Sequence, residues 1–185
     1  RASYFEGKYY GMPFGVGVIL LYYNKTLFNE EGLDYPDETW DWNDWREAAQ
    51  ALTKDTDGDG TVDQWGMFLP NSFEGVTYPL MLSNGGRWNN GMHITEKEAY
   101  WEKPAGPIEW FLGESPECVG ALKWWVENVC EFEVQPKSGE VTLAPGVGDE
   151  FAAGIVATRT GGTWYYNRYK HVTAFEWDIA PIPVS

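Results

Sequence analysis

The stretch Gly17-Val18-Ile19-Leu20-Leu21-Tyr22-Tyr23-Asn24-Lys25-Thr26-Leu27-Phe28-Asn29-Glu30-Glu31-Gly32 joins two kinds of element without a gap. Lys8 to Tyr23 first alternates and then runs apolar with β-branched and aromatic residues. This predicts one or two strands meeting near Gly15 to Gly17, where glycine allows a bend. Asn24 to Glu31 predicts a short helix ended by Gly32, and Pro36 keeps helix from continuing through the linker. Downstream, Thr39 or Asp41 caps a second helix through about Thr53, with Trp42, Trp45, Ala49 and Leu52 on one buried face.

The same alternation continues along the chain. Asp55 to Gly66 reads as a polar loop, Met67 to Leu69 as a short strand closed by Pro70, and Thr77 to Leu82 as a short helix before the Asn84-Gly85-Gly86 turn. From Asn89 to Glu114 periodicity is lost, and a long loop or hairpin with its own cluster of Trp101, Trp110 and Phe111 is expected. Ser115-Pro116-Glu117 opens a helix to about Val129, serine as cap and proline at the first helical position. Cys118, Ala121, Leu122, Trp125, Val126 and Val129 should form its inner face. A helix over Val147 to Ala153, a strand over Ile155 to Thr160, a helix over Thr163 to Tyr169 and a last strand from Asp178 complete the pattern. No internal repeat is present, and the class is α/β.

Composition narrows the partners. The 185 residues carry 28 acidic and 13 basic side chains, a formal charge of −15. Such an excess repels nucleic-acid backbones and anionic membrane surfaces at long range, so a neutral or cationic ligand is expected. With 43% hydrophobic residues and 11 Trp, 11 Tyr and 9 Phe, the chain has ample material for a core, which excludes disorder as a description of the whole. A single domain of this length buries roughly 70% of the surface its unfolded chain exposes. No signal peptide or membrane helix is read, since the longest apolar stretch, Val16 to Tyr23, is interrupted by Gly17. The chain starts at Arg1 and its last residues read as a strand leaving a domain, so a fragment of a longer protein is expected. Cys118 and Cys130 on one helix would stand about 18 Å apart, whereas a disulfide needs Cα atoms within roughly 7 Å, so no bridge is expected.

Two constellations could carry chemistry. Asp55-Thr56-Asp57-Gly58-Asp59-Gly60-Thr61-Val62-Asp63 matches the first part of an EF-hand-type calcium loop. Asp55, Asp57, Asp59 and Asp63 would offer carboxylates and Thr61 its carbonyl, but the twelfth position is Gly66 instead of a bidentate Glu. The loop is either a structural Ca2+ site or a solvated acidic turn held by its own Asx hydrogen bonds. The second feature is the supply of Trp and Tyr beside Gly and Asn, as in Gly161-Gly162-Thr163-Trp164-Tyr165-Tyr166-Asn167. Sugars combine apolar C–H faces with hydroxyl rims and suit such surfaces, although most Trp in any fold is core. Enzyme signatures are scarce: His93 and His171 have no metal-ligand partner at short spacing, and no phosphate-cradling loop appears.

An ordered set of pieces runs along the chain: Gly7-Lys8-Tyr9-Tyr10-Gly11-Met12-Pro13-Phe14, Leu21 to Phe28, Glu31-Gly32-Leu33 leading to Thr39-Trp40-Asp41, and Asp55 to Gly66. Ser83 to Trp88, Ser115-Pro116-Glu117 with Ala121 to Trp125, Phe151 to Ala157, Gly161-Gly162-Thr163-Trp164 and Trp177 to Pro181 complete it. The set resembles the solute-binding proteins of ABC-type sugar importers, the extracellular family that includes maltose-binding protein. The resemblance implies one lobe of a two-lobed, type II periplasmic-binding-protein-like α/β fold, its sheet flanked by helices. Residues 1–14 would cross from a first lobe, 15–180 form the second lobe, and 181–185 begin the return.

It further implies a monomeric, non-enzymatic receptor outside the cytoplasmic membrane, anchored or soluble. Such a receptor captures a mono- or oligosaccharide between lobes and delivers it to a membrane permease. The alternative is a carbohydrate-active enzyme or accessory carbohydrate-binding domain using two of the carboxylates. Carried over residue by residue, Trp164 matches the ring on which relatives stack a sugar, Phe73 and Glu74 lie in a contacting loop, and Arg87 and Trp88 would line the cleft. The stretch after the first crossing, Gly15 to Gly17, would face the ligand too, but where maltose-type members place an acidic sugar ligand before the Tyr-Asn-Lys piece, this chain has Gly17, which leaves the sugar open. An extracellular setting favours calcium in the Asp55 loop.

Overall fold

The computed structural model describes residues 4–5, 8–12, 17–70, 72, 78–94, 99–101, 105–110, 112–143, 146 and 148–185. A short antiparallel ribbon, β1 (Tyr4–Phe5) with β2 (Lys8–Tyr9), precedes the main sheet. That sheet takes β3 (Ile19–Asn24), β4 (Trp65–Phe68), β7 (Val156–Gly162) and β8 (Trp177–Ala180) in the order β4-β7-β3-β8. β4 runs parallel to β7, while β3 is antiparallel to both β7 and β8. The carboxyl ends of β4, β7 and β8 therefore share one edge with the start of β3.

Local chemistry explains why each element begins where it does. Helix α1 (Lys25–Glu31) follows β3 directly because the Asn24 side chain accepts the Leu27 N–H, and it stops at Gly32, which adopts φ of 66°. Helix α2 (Trp42–Leu52) opens on a reciprocal capping box between Asp41 and Asp44. Helices α3 (Tyr78–Ser83) and α4 (Pro116–Cys130) meet at the Gly85-Gly86 turn, Gly85 at φ of 73°. Ser115 caps α4 by accepting the Cys118 N–H at 3.3 Å.

The strands alternate as a two-faced sheet requires. Leu21 and Tyr23 point into a first core with Phe28, Trp45, Leu52 and Met67, while Tyr22 points the other way into a second core with Phe151 and Tyr169. Trp45 is fully buried and its Nε1 donates to Thr158 Oγ1 at 2.9 Å; that hydroxyl donates onward to the Gly66 carbonyl at 2.8 Å. The large apolar ring thus enters the core without stranding its one polar atom. At the β4 edge, Gln135 acts as a substitute strand: its Oε1 accepts the Leu69 N–H and its Nε2 donates to the Leu69 carbonyl. With the Val134 carbonyl accepting the Met67 N–H at 3.1 Å, this edge is partly covered.

Several expectations are corrected. The inner face of α4 is centred on Cys118, Ala121, Trp124 and Asn128, so Val126 is exposed and Trp125 only half-buried. Asn128 can be buried because its Oδ1 accepts from Arg46 Nε and its Nδ2 donates to the Trp124 carbonyl, both at 2.9 Å. The helix expected over Val147 to Ala153 is, in its described part, a single turn. Ala153 N–H donates to the Asp149 carbonyl, and Gly154, at φ of 75°, ends it at once. Val147 itself lies outside the described residues.

Thr163 to Tyr169 divides into a 3-10 turn over Thr163–Tyr165 and α5 (Tyr166–Tyr169). The 89–114 excursion contains a hairpin, β5 (Met92–Ile94) with β6 (Ala99–Trp101), and an Asn89–Trp110 bridge. Trp110 is exposed, and the other members of the expected cluster, Phe111 and the Trp101 side chain, lie outside what is described. Cys118 is buried and Cys130 exposed at opposite ends of α4, both as free thiols.

Candidate functional site

In sheets of this kind, ligands collect outside the carboxyl ends of the parallel strands, where connecting loops diverge. Here that edge is built by the end of β7 and the residues entering β3. Ile19 pairs with Gly162, and the Thr163 N–H donates to the Val18 carbonyl at 3.0 Å, so Gly17 and Val18 run beside the turn that carries Trp164. The Trp164 indole folds back over the glycine backbone. A Cβ added at Gly162 would lie 2.2 Å from the ring, and one at Gly17 would lie 3.1 Å from it. Only glycine at 162 lets the ring sit so low. The Gly162 carbonyl is held in turn by the Tyr22 hydroxyl at 2.9 Å, and burial pushes that phenol's pKa up, keeping it a donor.

The consequence is a flat apolar plate with one side on backbone and the other on solvent. Trp164 is 52% exposed, and Val18 beside it is exposed as well. An apolar ring left open on a glycine bed has the flat shape and the chemistry of a stacking surface. Gly17 and Trp164, distant in sequence, are therefore one feature.

The other residues singled out from the sequence fall elsewhere. Phe73 and Glu74 lie outside the described residues. Arg87 is exposed at the α3–α4 corner, lining an open depression with Glu114, Ser115 and Glu117. The Glu117 carboxyl there is held below its usual range, first by the Ser115 hydroxyl and last by the Arg87 charge. Trp88 packs half-buried against the first core.

The acidic loop closes on itself. Asp55 accepts the N–H groups of Gly58, Asp59 and Gly60, and these bonds hold its carboxyl below the usual range, the Gly60 bond first. Asp63 accepts from both the Thr56 N–H and hydroxyl. Asp55, Asp57 and Asp63 each bring an oxygen within 4.8 Å of the others, all exposed. Asp59 instead accepts the Thr61 N–H at 2.7 Å. The neighbouring Lys54 is engaged by Glu31, outside the loop. A hard, oxygen-seeking cation fits this donor set.

Sequence reading missed a buried ionic group behind the plate. Arg159, whose side chain is 6% exposed, meets Asp149 at 3.1 Å and Glu150 at 3.3 Å and donates to the Tyr165 hydroxyl at 2.9 Å. Asp149 also receives Arg168 at 2.7 Å and the Tyr169 hydroxyl at 3.0 Å. Burial, above all, raises the pKa of the Tyr169 phenol. The one available signal was an arginine inside the otherwise uncharged strand Val156–Gly162.

The chain belongs to the bacterial extracellular solute-binding protein family, which matches residues 1–185. An ABC substrate-binding protein of Listeria monocytogenes, solved in complex with cycloalternan, is 28% identical with a TM-score of 0.71. The match covers 96% of this chain and 40% of that protein. CpMnBP1, solved with mannobiose bound, is 26% identical with a TM-score of 0.71, over 99% of this chain and 43% of its own. An arabinooligosaccharide-binding protein of Halalkalibacterium halodurans is 42% identical over 52 residues, 28% of this chain and 11% of that protein. The chain thus spans about two fifths of the length of the solved relatives it matches. Among the described residues, no helix is long and apolar enough to cross a membrane.

Proposed function

We propose that this chain is the second lobe of a carbohydrate receptor serving an ABC importer. Residues 15–180 form the lobe, and 1–14 and 181–185 are the segments that cross to a first lobe. The observation that carries the reading is the half-exposed Trp164 indole lying on Gly17 and Gly162 at the carboxyl edge of the sheet. The sugar stacks on this plate, its hydroxyls are bonded from both lobes, and closure follows from tighter binding to the closed form. Arg87, in the depression at the α3–α4 corner, and Trp88, packed against the first core, are placed apart from this plate, and the stacking reading does not draw on them. The relatives solved with cycloalternan and mannobiose, and the arabinooligosaccharide-binding relative, support an oligosaccharide as the ligand class. The charge of −15 favours a neutral one.

The receptor works as a monomer outside the cytoplasmic membrane, hands its cargo to the permease and performs no catalysis. Incubating the full-length protein with neutral oligosaccharides and separating the products by chain length tests this last point. Unchanged lengths are expected, and shortened products would reject the receptor reading in favour of a glycosidase.

The Asp55 loop holds Ca2+ as a structural ion, with Asp55, Asp57, Asp59 and Asp63 as carboxylate donors and the Thr61 carbonyl beside them. Millimolar Ca2+ is expected to raise the melting temperature by several degrees over protein in EDTA, and Asp55→Asn to abolish the rise. Equal melting with and without Ca2+ would leave the loop as an acidic turn held by its own hydrogen bonds.

A further inference from the structure

Residues 161 and 162 point to opposite faces of the sheet, and each glycine lies against a different ring of the following turn. A Cβ at Gly162 would strike Trp164 at 2.2 Å, and one at Gly161 would strike Tyr165 at 2.8 Å. The Thr163–Tyr165 turn therefore grips the end of β7 between two adjacent rings, the exposed Trp164 and the half-buried Tyr165. Among the described residues the Trp164 ring makes no side-chain hydrogen bond, and it is exposed, whereas Tyr165 is tied firmly. Arg159 donates to its hydroxyl at 2.9 Å and places its guanidinium 4.5 Å from the ring centroid. Tyr169 stacks on the same ring at 5.5 Å with 21° between the planes. Asp149 and Glu150 hold the guanidinium from the other side, and its buried Nε has no partner among the described residues.

We infer that Arg159 is a positioning residue for the carbohydrate platform: from the buried face of the sheet it fixes Tyr165, and through Tyr165 the turn that sets the pose of Trp164. The inference rests on the reading of Trp164 as the stacking surface. A charge-assisted bond to a phenol, backed by two carboxylates in a site shielded from water, is stiffer than the apolar contact a ring alone would make. Energy placed behind the turn holds the plate flat before the ligand arrives, which reduces the ordering cost of binding.

Tyr165→Phe is the variant of choice, because it keeps the ring against Gly161 and removes only the oxygen that accepts from Arg159. Replacing Arg159 itself would take its buried cation from Asp149 and from the half-buried Glu150 and risk the fold. The full-length protein is labelled with 5-fluorotryptophan, and the Trp164 fluorine line is assigned by its loss in Trp164→Phe. In Tyr165→Phe that line is expected to be displaced or split, while the lines of buried Trp42 and Trp45 stay in place. Tyr35→Phe, which removes a hydrogen bond to Asn29 on the far helix α1, should leave it unmoved. An unchanged Trp164 line in a Tyr165→Phe protein overturns the inference.

The binding arm uses neutral oligosaccharides, mannobiose among them. Their affinity is expected to fall about fivefold in Tyr165→Phe, and no further once Trp164 is already alanine. Additive losses would assign Tyr165 a structural role independent of the plate. Full binding by Trp164→Ala would instead remove the stacking reading, and the fluorine result would still decide whether Arg159 fixes the ring.

Discussion

Trp164→Ala in the full-length protein is expected to weaken carbohydrate binding by about thirtyfold, or ~2 kcal/mol, the loss typical of a central aromatic anchor. The geometry makes this a sharp experiment. The indole rests on the backbone of Gly17 and Gly162 and exposes 52% of its surface, so little of the core depends on it. Its removal should cost affinity while leaving the denaturation midpoint close to that of the parent. Trp164→Phe keeps a smaller flat face and should recover part of the binding. Undiminished affinity in Trp164→Ala would show that the plate is not where the sugar sits. A large fall in stability would show that the ring belongs to the fold instead of the site.

Gly66→Ala is expected to destabilise the lobe by about 3 kcal/mol or more, beyond the usual range for an added methyl group in a packed core. The new Cβ would stand 2.0 Å from the Ala49 carbonyl oxygen and 2.3 Å from the Ala49 Cα. Both obstacles are backbone of α2, so no rotamer change relieves them. Nor can β4 retreat freely: the Gly66 N–H donates to Thr53 Oγ1 at 2.9 Å, and its carbonyl accepts from Thr158 Oγ1. Moving the strand would also disturb the hydroxyl that satisfies the buried Trp45 indole. Gly106, around which a Cβ would meet open space, supplies the control, and Gly106→Ala should be nearly neutral. Urea denaturation of both variants reads the contrast, and matching midpoints would show that α2 and β4 are not packed this closely.

How far the structure could be read in advance follows from where each determinant lies along the chain. β3 and α1 were legible because strand pattern, cap and stop signal are all local: an apolar run, Asn24, then Gly32. The buried stripe of α2 was legible for the same reason, since Trp42, Trp45, Ala49 and Leu52 recur at helical spacing. The inner face of α4 was misjudged because an asparagine reads as polar until its partners are known. Only the fold brings Arg46 to Asn128 and lets that face turn inward. The expected helix before β7 shrank to one turn because Gly154 in a left-handed conformation ends it.

The site divides in the same way. Composition and the Gly-Gly-Thr-Trp piece point to Trp164, and the role proposed for it comes from family resemblance. That Gly17 would lie beneath the same ring depends on the antiparallel pairing of β3 with β7, which no local pattern reveals. The ionic group behind the plate was harder still. Arg159, Asp149 and Tyr165 come from a strand, a single turn and a 3-10 turn, and their meaning arises only when these converge. The acidic loop is the opposite case, because its donors and their hydrogen bonds fall within nine consecutive residues.

The most direct test of the receptor reading is calorimetric titration of a panel of neutral mono- and oligosaccharides into the full-length, calcium-loaded protein, with this lobe alone as control. Tight, saturable binding of one carbohydrate class by the whole protein, and little or none by the isolated lobe, is the predicted result, since both lobes must contact the sugar for closure to follow. A folded protein that binds no member of the panel would contradict the carbohydrate reading and return Trp164 to a purely structural role.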